Sequence, residues 1–379
     1  MEFQRALNLL SLAKKKSVFL FGPRSTGKTF LINKQFPKAK VYNLLDTFDY
    51  GRLARRPTLI AEEKTPGEEL IVIDEIQRLP ILLNEVQRLI QAGDIHFLLA
   101  GSSARKLRRG GANLLGGRAW QASLFPLCFS EIPDFDLLKY LNRGGLPHIF
   151  LSDDFREELQ AYVDLYLREE IQAEALTRNL GAFARFLDVM ALQNGEELYL
   201  QGISSDAQTP VRTVENYIGI LEDTLIGFKL APFAATRKRK AITRSKFFLF
   251  DVGVVNTLAR RGDIRPKSEL FGKCFEHWLT LELRAYLSYR RRREEMSYWR
   301  STSGYEVDCI VGEDWAFEFK AVEMAVERHF RGLKALREEK LVKNYAVVSL
   351  DTRRRKVDGI LIYPWREFVS DLWGDVLLK

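Results

Sequence analysis

Ser17-Val-Phe-Leu-Phe21 runs directly into Gly22-Pro23-Arg24-Ser25-Thr26-Gly27-Lys28-Thr29, and from there into Phe30-Leu-Ile-Asn-Lys-Gln-Phe36. The first block is an apolar run of the length of a buried strand, and the last has helical spacing. Between them stands GxxxxGK[ST], in the strand–loop–helix setting that its chemistry requires. Glycines let the backbone bend until successive N–H groups point at an anion, and the helix N-terminus adds a favourable dipole. The pattern assigns residues 22–29 to ATP, with Lys28 on the β and γ phosphates and the Thr29 hydroxyl on magnesium. A plain glycine turn is the bland alternative, and the strand before and helix after argue against it.

Working outward, Leu70-Ile-Val-Ile73 reads as a second buried strand that ends in Asp74-Glu75. Phosphate transfer needs one carboxylate in the magnesium shell and another facing water; Asp74 fits the first role and Glu75 the general base. A helix is expected over Pro80 to Gly93. A third strand, His96-Phe-Leu-Leu-Ala100, stops at Gly101-Ser102-Ser103, so Ser102 or Ser103 is placed to orient the attacking water. Arg105 and Arg118 follow small-residue or glycine-rich turns. Either could reach a phosphate, including one in a neighbouring subunit, and surface solvation is the plain alternative for both.

Composition bounds the rest. The chain has 379 residues, 46% hydrophobic and 28% charged, which exceeds one ordinary core and excludes disorder. No apolar stretch is long enough to span a bilayer, and the start of the chain has its lysines after the apolar part, the reverse of a leader peptide. A cytoplasmic location and no membrane partner are expected. Cys128, Cys274 and Cys309 are widely separated and odd in number, as small buried apolar residues would be. The net charge of +8 is unevenly sorted: residues 1–150 and 231–300 are basic, and 151–230 are acidic. Such sorting fits a footprint for an anionic polymer, or two surfaces that meet within or between molecules.

The segments GPRSTGKT, LIVIDEIQ and FLLAGSS resemble those of AAA-type ATPases. DEIQRLP, AGSSARKL, GGRAWQASLFPLCFSE and GGLP (Gly144 to Pro147) together resemble a bacterial and archaeal group of these with a poorly characterised C-terminal region. The likeness covers nearly the whole chain. It implies magnesium-dependent ATP hydrolysis and an oligomer, with a hexameric ring as one form, in which an arginine is supplied across an interface.

In the middle of the chain, Ile203 to Pro210 introduces a helix with Thr209 as N-cap and Pro210 at its first position. Val214, Tyr217, Ile218 and Leu221 form its buried stripe. Two strands, Ile226 to Leu230 and Phe247 to Phe250, flank a basic connection containing Arg237, Lys238, Arg239, Lys240, Arg244 and Lys246. This order resembles a winged helix, a module used on DNA and also for docking proteins, and the hairpin residues Arg237 to Lys240 are the expected DNA contacts.

Near the C-terminus, the helical stretch from Leu270 carries Glu276. Strands are expected at Tyr298 to Arg300, Glu306 to Val311 and Trp315 to Lys320. Alternation puts Glu306 with Asp308, and Glu318 with Lys320, on one face of each strand, so adjacent strands would bring the carboxylates and the ammonium together. Glu276, Asp308 and Glu318-Phe319-Lys320 resemble the PD-(D/E)xK nuclease superfamily, without the usual proline before the aspartate. The resemblance implies magnesium on Asp308 and Glu318, Lys320 stabilising charge, and Glu276 as a further ligand or proton handler. A solvated ion pair is the plain alternative for Glu318 and Lys320.

The expected architecture is α/β: a P-loop parallel sheet with helices on both faces (1–150), a helical and winged-helix region (151–265), and a restriction-endonuclease-like α/β unit (266–379). The leading function is ATP-driven DNA processing. The alternative is a nucleotide-controlled switch or protein-remodelling ATPase whose last unit only binds.

Overall fold

The computed structural model describes the chain except for residues 1, 94, 104, 106, 108–114, 168–178, 237 and 379, and the side chains of residues 166 and 167. The first sheet contains β1 (Ser17–Phe21), β2 (Lys40–Asn43), β3 (Leu70–Asp74), β4 (His96–Gly101) and β5 (Ala119–Ser123). They are ordered β2-β3-β4-β1-β5, with every pairing parallel. Side chains alternate faces along a strand, so both faces need cover. Val18, Leu20, Val72 and Leu98 join one core with Leu31 and Ile32 of α1 (Lys28–Gln35). Phe19, Phe21, Ile71, Ile73 and Leu99 join another with Leu83, Val86 and Leu89 of α2 (Leu82–Ala92). Apolar runs rather than alternation mark these strands in the sequence because both faces are buried.

The middle region packs α3 (Leu180–Leu192), α4 (Leu200–Asp206) and α5 (Val211–Asp223) around Phe186, Tyr217, Ile218 and Leu221. The expected stripe on α5 is buried, but its start shifts by one residue. Pro210 occupies the cap position, and the Thr209 hydroxyl donates backwards to Ala207 O at 3.0 Å. Next come β6 (Gly227–Pro232), β7 (Lys246–Leu249), the short α6 (Val252–Leu258) and the long α7 (Glu269–Tyr289).

The remaining strands are β8 (Met296–Arg300), β9 (Glu306–Val311), β10 (Trp315–Lys320), β11 (Asn344–Ser349), β12 (Arg355–Val357) and β13 (Ile360–Pro364). Two further helices belong here, α8 (Arg331–Arg337) and α9 (Trp365–Trp373). Eight strands form one sheet, ordered β12-β13-β11-β10-β9-β8-β6-β7. The hairpin expected as a wing is therefore the edge of the C-terminal sheet. β6 and β7 pair antiparallel as anticipated, but Ala231 and Pro232 also pair with Ser297 and Tyr298 of β8. Leu230, Phe248 and Tyr298 close a small core across that junction, which gives β8 a partner and buries apolar surface that a free wing would expose. A division of the chain at residue 265 thus cuts between strands of one sheet.

α7 is the structural link between the two sheets. Its residues Phe275, Trp278 and Leu279 share a single core with Val18 and Leu20 of the first sheet and Cys309 and Phe317 of the second. All three cysteines are buried thiols. Among the described residues no helix is long and apolar enough to cross a membrane.

Candidate functional sites

The loop at Gly22–Thr29 leaves the C-terminal end of β1. Ser25 and Gly27 take positive φ values of 63° and 89°, which turns the backbone toward α1. At Gly22 a side chain is excluded, since a Cβ would lie 2.5 Å from Leu124 O on the neighbouring strand end. Thr26 is buried, with its hydroxyl donating to Pro23 O at 2.8 Å, while Arg24 and Ser25 are exposed. The Lys28 ammonium donates to Gly22 O at 2.7 Å and Pro23 O at 3.1 Å, so it lies along the concave side of the loop.

Thr29 and Asp74 come from elements 45 residues apart and meet directly: Thr29 Oγ1 donates to Asp74 Oδ2 at 2.7 Å. Asp74 Oδ1 accepts from Glu75 N at 3.0 Å, which fixes the carboxylate plane. A hydroxyl and a carboxylate oxygen side by side, next to the turned loop, are hard oxygen donors suited to magnesium. These residues fit the ion that the sequence pattern implies. Magnesium on Thr29 and Asp74 would neutralise phosphate charge.

Glu75 stands in left-handed backbone (φ 57°) just past β3, and its Oε2 accepts from Gln77 Nε2. The same amide approaches Ser102 Oγ at 3.2 Å. Sequence reasoning named Glu75 and Ser102 but missed Gln77, the buried amide that bridges them. Its only sequence signal is its place within DEIQ. Ser103 turns away, with its hydroxyl donating to Asp223 O at 3.4 Å and accepting from Arg105 N at 3.0 Å.

The two arginines have different positions. Arg105 forms an ion pair with Asp223 Oδ2 at 2.6 Å, at the end of α5 in its own chain. Arg118 precedes β5, whose first residue Ala119 is in register with Ser17. It therefore stands at the edge of the sheet opposite the phosphate loop, about 16 Å along the strand at roughly 3.3 Å per residue. Within one chain Arg118 does not meet the loop.

Beside Ser25 and Gly27 lies a cavity of about 610 Å³ walled by Phe3, Phe30, Pro147, Ile149, Leu151 and Tyr162. The Tyr162 hydroxyl donates to Arg24 O at 3.3 Å, bringing the middle region to the loop.

The second site lies on the C-terminal sheet. β9 and β10 pair antiparallel with Phe317 opposite Cys309, so Asp308 and Glu318 stand on adjoining strands. Lys320 Nζ lies 2.6 Å from Glu318 Oε1 and 3.5 Å from Asp308 Oδ2, and Asp308 Oδ2 also accepts from Phe319 N at 2.7 Å. From β7, Lys246 Nζ reaches Glu306 Oε1 at 2.7 Å and Glu276 Oε1 of α7 at 3.3 Å. The structure thus brings together Glu276, Asp308, Glu318 and Lys320, and adds Lys246 and Glu306. Lys246 was read as one of a run of hairpin cations; only the pairing of β6 with β8 turns it inward.

Burial pushes the Glu276 carboxyl up to about 7, against the attraction of Lys246, and burial with the nearby Asp308 raises Glu318 well above the carboxylate range. Burial disfavours the charge on Lys246 and Lys320, but the surrounding carboxylates outweigh it and hold both above the ordinary lysine value. Glu318 Oε2 is buried and has no hydrogen-bond partner. Among the described residues no group of three or more histidine, cysteine or carboxylate side chains is arranged to hold a metal ion. An ion here would rest on the pair Asp308 and Glu318, with the orphaned oxygen of Glu318 as a donor.

Of the expected DNA contacts of the hairpin, Arg239 has its side chain engaged within the chain, and Lys238 is held by its backbone. Lys238 N and Arg239 N each donate to the Glu339 carboxylate at 3.0 Å, and Arg239 Nη2 donates to Glu338 Oε2 at 2.8 Å. Lys240 is exposed, and Arg237 lies outside the described residues.

Comparison with known proteins adds the family context. Residues 14–133 match the model of an AAA domain. This part of the chain is similar to AAA-type P-loop ATPase domains. Beyond it, residues 134–265 and 271–368 match two domains of unknown function, DUF8612 and DUF4143. The uncharacterized protein MJ1544 of Methanocaldococcus jannaschii is 26% identical over 91% of this chain and 82% of its own length. An uncharacterized protein of Haemophilus influenzae is 25% identical over 59% of this chain and 60% of its own length. Among solved structures, the Aeropyrum pernix ORC1 protein in complex with DNA is similar at 15% identity and TM-score 0.25, covering 65% of this chain and 86% of that one. A STAND protein with a tetratricopeptide repeat sensor, PH0952 of Pyrococcus horikoshii, is similar at 16% identity and TM-score 0.26, covering 76% and 47%.

Proposed function

We propose that this protein is a magnesium-dependent ATP hydrolase that binds DNA and processes or remodels it, working as a homo-oligomer. The observation that carries the ATPase part is the contact of Thr29 with Asp74 at 2.7 Å, beside a lysine lying along a loop of turned backbone. In this reading Lys28 and the loop N–H groups bind the β and γ phosphates. Glu75 takes the proton of the attacking water, Ser102 orients that water, and Gln77 holds Glu75 and Ser102 to each other. The apolar cavity beside Gly27 has the size and lining for the base. With Arg105 held by Asp223 and Arg118 across the sheet, an arginine acting on the terminal phosphate would be Arg118 of a neighbouring copy.

The DNA part rests on the cluster around Asp308 and Glu318, which opens into cavities of about 220 and 470 Å³ on its two sides. In this reading Asp308 and Glu318 gather a divalent ion, Lys320 stabilises the charge that develops on phosphate, Glu276 handles a proton, and Lys238, Arg239 and Lys240 contact the DNA backbone. A specific observation favours a second reading, a nucleotide-controlled switch or protein-remodelling ATPase: the Arg239 guanidinium is already paired with Glu338.

Phosphate release measured with and without single-stranded, duplex and branched DNA, beside a gel for nicks, separates the two. Stimulation by DNA is expected. Turnover that ignores all three DNAs, with no nicking in magnesium or manganese, would transfer the weight to the switch.

A further inference from the structure

Arg5 stands in the extended segment ahead of β1, and its side chain is enclosed. Its guanidinium donates through Nη1 to Thr26 O at 2.6 Å and through Nη2 to Phe125 O at 2.6 Å. Nη2 also approaches the Tyr289 hydroxyl at 3.4 Å, and Nε pairs with Glu131 Oε2 at 3.0 Å. Burial works against the positive charge, but the carboxylate of Glu131 outweighs it and holds the group above the ordinary arginine value. Glu131 is anchored in turn, since its two oxygens accept from Ala6 N at 2.7 Å and Cys128 N at 3.0 Å. Tyr289 also accepts from Phe125 N at 3.0 Å.

Each contact falls on an informative place. Thr26 O belongs to the peptide that leads into Gly27, whose left-handed backbone aims the following N–H groups into the loop. A Cβ built on Gly27 would stand 3.7 Å from Arg5 Nη1, so the guanidinium backs the loop at its turning point. Phe125 follows the end of β5, and Tyr289 is the last residue of α7. Glu276, at the second site, lies on the same helix about 20 Å away at 1.5 Å per residue. Further along, Glu282 of α7 accepts from Phe129 N at 2.8 Å and Trp373 Nε1 at 2.7 Å, tying the segment after β5 to α9 as well.

We propose that Arg5 is a positioning residue that sets the backbone of the phosphate loop, and that Tyr289 makes this setting depend on how α7, and with it the C-terminal sheet, is seated. The proposal rests on the reading of residues 22–29 as the ATP site. A guanidinium has the planar fork needed to span two carbonyls on separate segments while facing a carboxylate, and an ammonium does not. Because the loop, α7 and Glu131 share one buried cation, a shift of α7 is felt at Thr26, and nucleotide binding at the loop is felt at α7 to the same extent.

The test uses the full chain in four forms: wild type, Arg5→Lys, Tyr289→Phe and the double variant. Phosphate release, binding of a fluorescent ATP analogue, and melting with and without Mg-ATP are measured for each. Arg5→Lys should lower kcat/KM for ATP by about 10-fold or more, and the melting shift produced by Mg-ATP should shrink. Tyr289→Phe, which removes one hydroxyl, should give a smaller loss of about 3-fold, and the double variant should match Arg5→Lys alone, because the tyrosine acts through the arginine. Unchanged nucleotide parameters in Tyr289→Phe, or losses that multiply independently in the double variant, overturn the proposal. So does an Arg5→Lys protein that melts lower but binds and hydrolyses ATP as the wild type does. A wild type that neither binds nor hydrolyses ATP would instead overturn the reading of residues 22–29.

Discussion

At the phosphate loop the ammonium of Lys28 rests on two neutral peptide carbonyls, whereas on the C-terminal sheet the ammoniums of Lys246 and Lys320 rest on carboxylates. The first arrangement holds the ammonium against the backbone of the loop itself. In the second, carboxylates and ammoniums compensate one another before any ligand arrives. At the C-terminal cluster a ligand must therefore displace an internal partner before it gains Coulomb energy. The lysines are legible in both stretches of sequence; what each ammonium rests on is decided by where the fold places it.

Lys28→Ala is the sharpest way to break the contrast. It should reduce ATP turnover by about 100-fold or more, read as phosphate release, because it removes the charge that faces the transferred group. Turnover near the wild-type rate would mean that the loop is not where hydrolysis occurs. Asp308→Ala should abolish any magnesium- or manganese-dependent nicking while leaving phosphate release intact; loss of both together would mean damage to the shared core around α7 rather than to a local site.

Lys246→Ala tests compensation itself. Removing the buried ammonium leaves Glu276 and Glu306 facing each other without it, and denaturant melts should show a loss of about 3 kcal/mol. A neutral result would mean that these carboxylates are solvated rather than held by the lysine.

The smallest effect expected is on the pH dependence of stability. An acid whose folded-state pKa is raised keeps its proton in the fold after the unfolded chain has lost its own. The stability this brings is present below the unfolded value and is lost as pH rises through the folded value. For Glu276 the window runs from about 4.5 to about 7. Comparing wild type with Glu276→Gln at pH 5 and pH 8 cancels most other titrating groups, including His277, whose burial lowers it to about 4 and which acts in the opposite direction. The wild type should lose about 2 kcal/mol relative to the variant over that range. A difference that stays constant with pH would show that Glu276 is not held in its protonated form.

Much of this was readable from the chain alone. The strand ahead of Gly22, the acidic end of β3, the small-residue tip of β4 and the strands carrying Asp308, Glu318 and Lys320 each follow from a local apolar run or from two-residue alternation. Lys246 and the hairpin were misread for an equally physical reason. A basic connection between two short strands has the same local pattern whether it stands free or closes the edge of another sheet, and the pairing of Ala231 and Pro232 with β8 involves residues more than sixty positions away. Arg5 carried no signal at all, since its partners lie at residues 26, 125, 131 and 289. Gln77 stood within a quoted motif, but its role appears only when the ends of β3 and β4 are side by side.

By itself the sequence determined the form of the loop at residues 22–29, because turned backbone, lysine and hydroxyl are contiguous and their geometry follows from local steric rules. It also determined that two carboxylates and a lysine would share a sheet face if their strands were neighbours. The tertiary structure decided that they are neighbours, that Lys246 from a distant hairpin joins them by pairing with Glu276 and Glu306, and that one helix runs from this cluster to the buried arginine behind the loop. Those decisions belong to the fold because burial and charge pairing depend on which surfaces meet, and chain-distant surfaces meet only after the cores have formed.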